Sequence, residues 1–282
     1  MNMFNPTIEV IVTQPSTPNP PNLAFDAVLQ RFPSLAEADA VCMTGSIAAG
    51  WGNSYSDIDL FVFSDRELDL PVDETMETWP GEDATSGIRW VNWMGQYEES
   101  LVDLQVWPTD TLPKVLKPFL GDTEPEFGNP GLWIEDLIYR ISIATPLKNP
   151  AFIENMKQLI ANSSYNRALA RYLKARIESR LTDVAGQLEA GDILGARMAA
   201  LLAAEQVVDQ SLLLAGDLCR ARKWILRRLE QTPQCGITVD EYRSVVLDGK
   251  RPDESDRECA VRVARWAQSQ LVRTEDAALT RR

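Results

Sequence analysis

The segment Thr44–Phe63, TGSIAAGWGNSYSDIDLFVF, places two carboxylates at the start of an apolar run. Ile, Leu, Phe and Val dominate Asp57–Phe63 and a Ser-Asp pair follows it, which predicts a strand. Side chains alternate across a strand, so Asp57 and Asp59 share one face. Two like charges this close repel each other unless a cation lies between them. The segment therefore predicts a strand that carries a cation site.

Magnesium fits such a pair, because it takes hard oxygen ligands, usually one or two protein carboxylates, and completes its shell with water and substrate phosphate. A short predicted strand leads into Gly45 and Ser46, and a helix is expected from Ile47. A glycine lets the backbone approach a phosphate, and a serine at a helix start offers hydroxyl and N–H donors. We therefore expect a polyphosphate at this turn, next to a metal at Asp57 and Asp59.

A later strand, Leu101–Trp107, offers a third carboxylate. In it Asp103 lies on the face opposite to the apolar valine and leucine that flank it. If this strand lies beside Asp57–Phe63 in one sheet, Asp103 joins the acidic face. Two metal ions about 4 Å apart would then clamp the attacking and leaving oxygens of an in-line displacement.

Strand and helix patterns occupy different parts of the chain. Another strand is predicted over Ile88–Trp93, and residues 13–22 predict a proline-rich arm. From about Gly131 the apolar residues recur at helical spacing, over Trp133–Ile143, Ala151–Ile160, Tyr165–Leu188, Ile193–Leu214, Leu218–Glu230 and Arg257–Arg273. We expect an α/β (α+β) domain with a small mixed sheet over residues 1–128, then an all-α helical bundle domain over residues 129–282.

Composition narrows the expected partners and location. The net charge is −13 and the pI is near 4.6, so the protein repels polyanions and nucleic acid is not the expected partner. No apolar stretch reaches the length of a membrane span, and no leader is recognised. The cysteines show no metal-binding spacing and the chain has no histidine, so we expect reduced thiols in a cytoplasmic protein. Acid-base chemistry then falls to carboxylate, lysine, tyrosine or thiolate groups.

The pattern GSIAAGWGNSYSDIDL resembles the signature of the DNA polymerase beta-type nucleotidyltransferase superfamily, a Gly-Ser pair followed by Asp-x-Asp. Residues 56–60, Ser-Asp-Ile-Asp-Leu, are similar to the extended form in many small bacterial members. The resemblance covers about residues 41–107. Ala49 is a departure, because many relatives carry arginine there, so a phosphate contact is either missing or supplied from elsewhere.

The resemblance implies transfer of a nucleoside monophosphate from a nucleoside triphosphate to an acceptor, with loss of pyrophosphate. It implies that Mg²⁺, as two ions, is the cofactor and that ATP is the expected donor. By the same resemblance, the nucleotide ligands are Gly45, Ser46 and Ser56, the metal ligands are Asp57 and Asp59, and Asp103 is the third ligand or the general base. An acidic α/β domain before a helical one is similar to the aminoglycoside nucleotidyltransferases, which implies a small, cationic acceptor.

Several alternatives stay open. One is nucleotidyl transfer onto a macromolecule, such as transfer RNA or a partner protein, and another is a nucleotide-binding module without turnover. Glu205 and Asp209, and likewise Glu135 and Asp136, either bind the acceptor or act as a base, or they pair with arginines. Lys223 stands in the most basic cluster, Arg220–Arg228, and either binds phosphate, as a lysine of similar enzymes does, or lies on a solvated helix face. The oligomeric state is not given by the sequence.

Overall fold

The protein is described by a computed structural model over residues 25–53, 55–71, 76–83, 86–97, 100–121 and 131–280. The arm predicted at residues 13–22 and the boundary predicted between residues 128 and 129 lie outside the described residues and stay predictions. The chain forms two compact units. One comprises residues up to 117 together with Leu137–Asn162, and the other comprises Pro118–Asp136 and the residues from Ser163 onward.

The first unit is built on a mixed sheet, as the sequence predicted. Its described strands are β1 (Ala40–Thr44), β2 (Ile58–Phe63), β3 (Glu77–Glu82), β4 (Arg89–Tyr97), β5 (Ser100–Trp107) and β6 (Thr145–Lys148). They lie in the order β3-β4-β5-β2-β1-β6. The pair β2–β5 is parallel and the other pairs are antiparallel. The helices in this part of the chain are α1 (Phe25–Arg31), α2 (Gly45–Ala48), α3 (Thr111–Leu116), α4 (Leu132–Ser142) and α5 (Pro150–Ala161).

The two faces of the sheet differ, as side-chain alternation requires. One face carries the apolar residues of β2 and β5, such as Leu60 and Leu104, which are buried in a core with Trp93 of β4 and the segment around α1. The opposite face of β2 carries Asp59 and, further along, Phe63, whose ring packs on the ring of Phe152 in α5. The acidic residue therefore stands on the face turned away from this core.

Strand β6, like β3, is an element that the sequence did not predict. Its Pro146 indicated only a helix break, whereas Thr145–Lys148 pairs antiparallel with β1 at the edge of the sheet. An edge strand tolerates a proline, because one side of its backbone needs no ladder partner. The Lys148 ammonium fixes this edge by donating hydrogen bonds to the carbonyls of Ala36 and Ala38.

The second unit is largely helical, in agreement with the expected helical domain. Its described helices are α6 (Tyr165–Glu189), α7 (Ile193–Leu214), α8 (Ile225–Gln231), α9 (Val239–Tyr242), a π-helical turn (Arg243–Leu247) and α10 (Asp256–Thr280). Helices α6, α7 and α10 share a core in which α7 contributes mostly alanines. Small side chains let helix backbones approach closely. None of the described helices has the length and apolarity needed to cross a membrane.

The helix predicted over Leu218–Glu230 was wrong at its start. The chain forms a 3-10 turn over Arg222–Trp224, and α8 begins only at Ile225. The carboxylate of Asp217 accepts a hydrogen bond from the backbone N–H of Cys219 at 2.8 Å. Such local side-chain bonds compete with helix formation, which explains the late start.

The four cysteines are free thiols. Burial raises the pKa of the Cys42 thiol to about 12, so this group stays protonated at neutral pH. Cys42 therefore supplies no thiolate for catalysis.

Replacing Trp93 tests the sheet core. Its side chain is fully buried, its indole N–H donates to the carbonyl of Pro71 at 2.7 Å, and its ring meets Phe32 edge-on. We expect Trp93→Ala to lower the free energy of unfolding by about 3–5 kcal/mol. The matched control is Trp79→Ala, because Trp79 lies on β3 with 39% of its surface exposed. Urea denaturation followed by circular dichroism measures both variants, and equal losses in the two would contradict this account of the core.

Candidate functional site

Asp59 and Asp103 lie side by side in the sheet. They are register partners in the parallel pair β2–β5, so their backbones are about 4.8 Å apart and their side chains share one face. Both residues are half-buried. The predicted adjacency of these two strands is confirmed, whereas the metal-binding and catalytic roles of the two acids stay predictions.

Asp57 comes immediately before β2 and is exposed. Among the described residues, no group of three or more acidic or cysteine side chains lies close enough together to hold a metal ion. The oxygen ligands that the sequence singles out are thus placed along one strand and its neighbour, without being gathered around a common point. The assignment of Asp57, Asp59 and Asp103 as metal ligands stays a prediction.

The Gly45 turn lies directly against Asp59. Strand β1 runs antiparallel to β2 with Thr44 opposite Asp59, and Gly45 follows with φ +68°. A Cβ at Gly45 would lie 1.8 Å from Oδ2 of Asp59 and 2.4 Å from its Cγ. Only glycine fits here, both for its backbone conformation and for this close approach. Helix α2 begins at Gly45, two residues earlier than the sequence predicted, so Ser46 lies in its first turn.

The loop between α2 and β2 is closed by Ser56. The Ser56 hydroxyl accepts a hydrogen bond from the backbone N–H of Asn53 at 2.9 Å, and the Ser56 N–H donates to the Asn53 carbonyl. The buried Trp51 connects this loop to α2, since the backbone N–H of Trp51 donates to the carbonyl of Ser46 at 2.8 Å. Ser56 therefore has a structural role here, and its role as a nucleotide ligand stays a prediction.

Arg140, near the end of α4, is the site residue that sequence reasoning missed. Its guanidinium donates from Nη1 to Oδ1 of Asp59 at 2.6 Å, with 19% of the Arg140 and 13% of the Asp59 side chain exposed. Its carbonyl accepts a hydrogen bond from the Thr44 hydroxyl at 2.7 Å, and its Cζ lies 5.6 Å from the centroid of the Phe61 ring. Carboxylates that lie this close repel each other unless a cation lies beside them, and the Arg140 guanidinium supplies one. No spacing in the sequence connects residues 59 and 140.

The acids of the helical unit pair with arginines. Arg220 donates to Glu135 at 2.7 Å, and the fully buried Arg228 contacts Asp209 at 3.0 Å and Asp217 at 2.7 Å. Burial raises the pKa of the Glu135 and Asp209 carboxyls, and the neighbouring arginines oppose that shift. The alternative in which these acids pair with arginines is therefore the one observed.

Glu205 and Lys223 are the other candidate site residues in this unit. Glu205 pairs with Arg222 at 2.6 Å, so it too contacts an arginine. Lys223 is exposed, and its Nζ lies 5.3 Å from the centroid of the Trp224 ring. The role of Lys223 as a phosphate ligand stays a prediction.

Comparisons with known proteins agree with the sequence signature. Residues 24–113 match a family model described as a nucleotidyltransferase domain, and this range contains β1 to β5, the Gly45 turn and all three acids. A nucleotidyltransferase-like protein from Exiguobacterium sibiricum 255-15 is a similar solved structure, with 10% identity and a TM-score of 0.47 over 88% of this chain and 73% of that chain. No curated protein matches.

Replacing Gly45 tests its close approach to Asp59. We expect Gly45→Ala to lower the free energy of unfolding by about 2–4 kcal/mol, because the new methyl group strains the backbone and displaces the Asp59 carboxylate. Gly50→Ala is the matched control: Gly50 also has a positive φ, of 73°, but a Cβ there meets nothing within 4 Å. That control should lose only about 1 kcal/mol. Equal losses in thermal unfolding would show that the approach to Asp59 has no cost.

Replacing Arg228 tests the buried pairing in the helical unit. We expect Arg228→Gln to lose about 3–5 kcal/mol of unfolding free energy near pH 7, because Asp209 would stay buried with its main partner gone. Arg222→Gln is the control, since the Arg222 side chain is 60% exposed, and it should lose less than about 1 kcal/mol.

The same variant has a pH signature. Loss of the Arg228 charge raises the pKa of Asp209 further above its unfolded value, so the folded state binds more protons than the unfolded state. Stability then increases as pH falls through that raised pKa. We expect the deficit of Arg228→Gln relative to wild type to shrink from about pH 7 to about pH 5, as measured by denaturation at each pH. A deficit independent of pH would contradict the burial of an uncompensated carboxylate.

Proposed function

We propose that the chain, whose residues 24–113 match a nucleotidyltransferase domain model, transfers a nucleoside monophosphate from a nucleoside triphosphate to a small-molecule acceptor, with release of pyrophosphate. One observation carries the proposal: Gly45 packs against Asp59, which lies beside Asp103 on the neighbouring parallel strand. This arrangement brings a turn suited to phosphate and two acidic side chains to the same ends of adjacent strands.

The donor chemistry of the three acids suits a divalent cation of the magnesium type. The candidate ligands are carboxylate oxygens only, two of them on adjacent strands and the third just before β2, and hard oxygen donors are what Mg²⁺ prefers. Asp57, Asp59 and Asp103 would hold it. When bound, the cation supplies neutralisation of the charge that develops on the phosphoryl oxygens.

The chain's own groups account for the remaining steps. The backbone N–H groups at the start of α2 and the Ser46 hydroxyl would bind the triphosphate tail, with Gly45 allowing its close approach. An acceptor hydroxyl oxygen attacks the α phosphorus in line, the bond to the bridging oxygen breaks, and pyrophosphate leaves. Asp103 would receive the hydroxyl proton, since the chain contains no histidine. Transfer is direct, without a covalent enzyme intermediate.

The charge of the protein supports a cationic acceptor. A net charge of −13 attracts small cations and repels polyanions. We propose an amine-bearing small molecule as acceptor and ATP as donor.

The proposal is tested by neutralising its acids. We expect Asp57→Asn and Asp59→Asn each to lower Mg²⁺-dependent pyrophosphate release at least about 100-fold, because each removes a charge that acts on the transferred phosphoryl group. Pyrophosphate is measured with a coupled assay. Asp110→Asn is the matched control, because Asp110 pairs on the surface with Lys114, and it should keep wild-type activity. Full activity in both of the first two variants would falsify the assignment of these acids.

The acceptor is identified by a separate experiment. Each labelled nucleoside triphosphate is incubated with wild type and with Asp59→Asn, against a panel of amines, sugars, transfer RNA and cell extract. Mass spectrometry then finds whatever gains a nucleotide with wild type alone. Labelling of an amine supports the proposal, labelling of transfer RNA or of a protein replaces its acceptor, and no labelling by any triphosphate argues for a binding module without turnover.

A further inference from the structure

The Arg140 guanidinium contacts Asp59, the carboxylate to which the proposed function assigns a metal ion. Its Nη1 donates to Oδ1 of Asp59 at 2.6 Å, and the other oxygen, Oδ2, faces Gly45 so closely that a Cβ there would lie 1.8 Å away. Oδ1 of Asp59 is therefore held by Arg140, and Oδ2 packs against the Gly45 turn. A divalent cation at Asp59 would compete with the Arg140 guanidinium for this carboxylate.

The contact is placed so that it can open. The Arg140 and Asp59 side chains keep 19% and 13% of their surfaces exposed, so water and ions reach the pair. The backbone of Arg140 is held independently, because its carbonyl accepts from the buried Thr44 hydroxyl. The guanidinium can thus leave Asp59 while the end of α4 remains attached to β1.

A phosphate bound at the Gly45–Ser46 turn would lie near the end of α4. Thr44, which binds the Arg140 carbonyl, directly precedes Gly45 and Ser46, the turn to which the triphosphate tail is assigned. The planar guanidinium matches phosphate oxygens with two parallel donors.

We propose that Arg140 is the triphosphate-binding arginine of this site and that it exchanges partners when nucleotide binds. In the nucleotide-free protein it neutralises Asp59. When Asp59 takes up the divalent cation, the guanidinium passes to the triphosphate, so that every charge keeps a partner before and after binding. This inference rests on the proposed function. It also implies that the site has low affinity for the metal alone and takes up metal and triphosphate together.

The exchange predicts opposite effects of one substitution. Arg140→Gln removes the competitor for Asp59, so we expect Mn²⁺ alone to bind about tenfold tighter than to wild type, the scale of one charge-assisted hydrogen bond. The same variant lacks the phosphate ligand, so inorganic tripolyphosphate in saturating Mg²⁺ should bind about tenfold weaker. Electron paramagnetic resonance of free Mn²⁺ measures the first affinity, and calorimetry measures the second. Tripolyphosphate is the probe because it carries no base or sugar.

Two other variants make the test specific. Arg89→Gln removes the same charge from strand β4, where Arg89 pairs on the surface with Glu82, and should change neither affinity. Arg140→Lys keeps the positive charge but lacks the two parallel N–H donors of a guanidinium. This variant should bind tripolyphosphate about threefold weaker than wild type. Circular dichroism checks that each variant folds. If Arg140→Gln does not fold, the tripolyphosphate affinity of Arg140→Lys is the test.

Each outcome has one meaning. Tighter Mn²⁺ binding together with weaker tripolyphosphate binding in Arg140→Gln supports the exchange. Unchanged or weaker Mn²⁺ binding, unchanged tripolyphosphate binding, or equal shifts in Arg89→Gln overturn it. Pyrophosphate release by wild type is read separately: turnover without these shifts rejects the exchange and keeps the proposed function, whereas the shifts without turnover keep the exchange and reject the function.

Discussion

The parallel pairing of β2 with β5 is the constraint on which the candidate site depends. Its register sets Asp59 beside Asp103, and the antiparallel neighbour β1 brings Gly45 against the same carboxylate. A slip of either strand by one residue would turn its acid to the opposite face. Leu60 and Leu104 prevent that slip, because they are buried in the core of that opposite face. The apolar residues that stabilise the sheet therefore also position the acids.

Electrostatics explains why the acidic face needs a cation at all times. Asp59 is largely withdrawn from water, where an ionised carboxylate without a partner is costly. The guanidinium of Arg140 meets that need in the structure described here, and a divalent cation would meet it equally well. The need for a cation beside Asp59, which the sequence predicted, can thus be met by Arg140 or by the proposed divalent cation. The two would compete for the Asp59 side chain.

Local signals in the sequence predicted most of the candidate site's elements and the long helices of the second unit. Strand β2, the turn at Gly45 and the helices α6 and α7 follow from alternation, turn residues and helical spacing within short windows. The missed features depend on long-range contacts: β6 is a strand because it pairs with β1, and Arg140 contacts an acid 81 residues away. Neither Pro146 nor Arg140 differs locally from an ordinary helix break or helix arginine. The late start of α8 was missed for a different reason, a competing side-chain bond from Asp217.

Two acid–arginine pairs in this protein use the same chemistry for different ends, and exposure decides between them. Arg228 has no exposed side-chain surface and holds Asp209 and Asp217 together, so opening that contact would leave charges in a medium that cannot solvate them. Arg140 keeps 19% of its side-chain surface exposed beside Asp59, so its guanidinium can be solvated when the contact opens. A buried pair stabilises one arrangement, whereas a partly exposed pair next to the Gly45 turn, to which we assign the triphosphate, can change partners. This difference is why we assign structure to Asp209 and chemistry to Asp59.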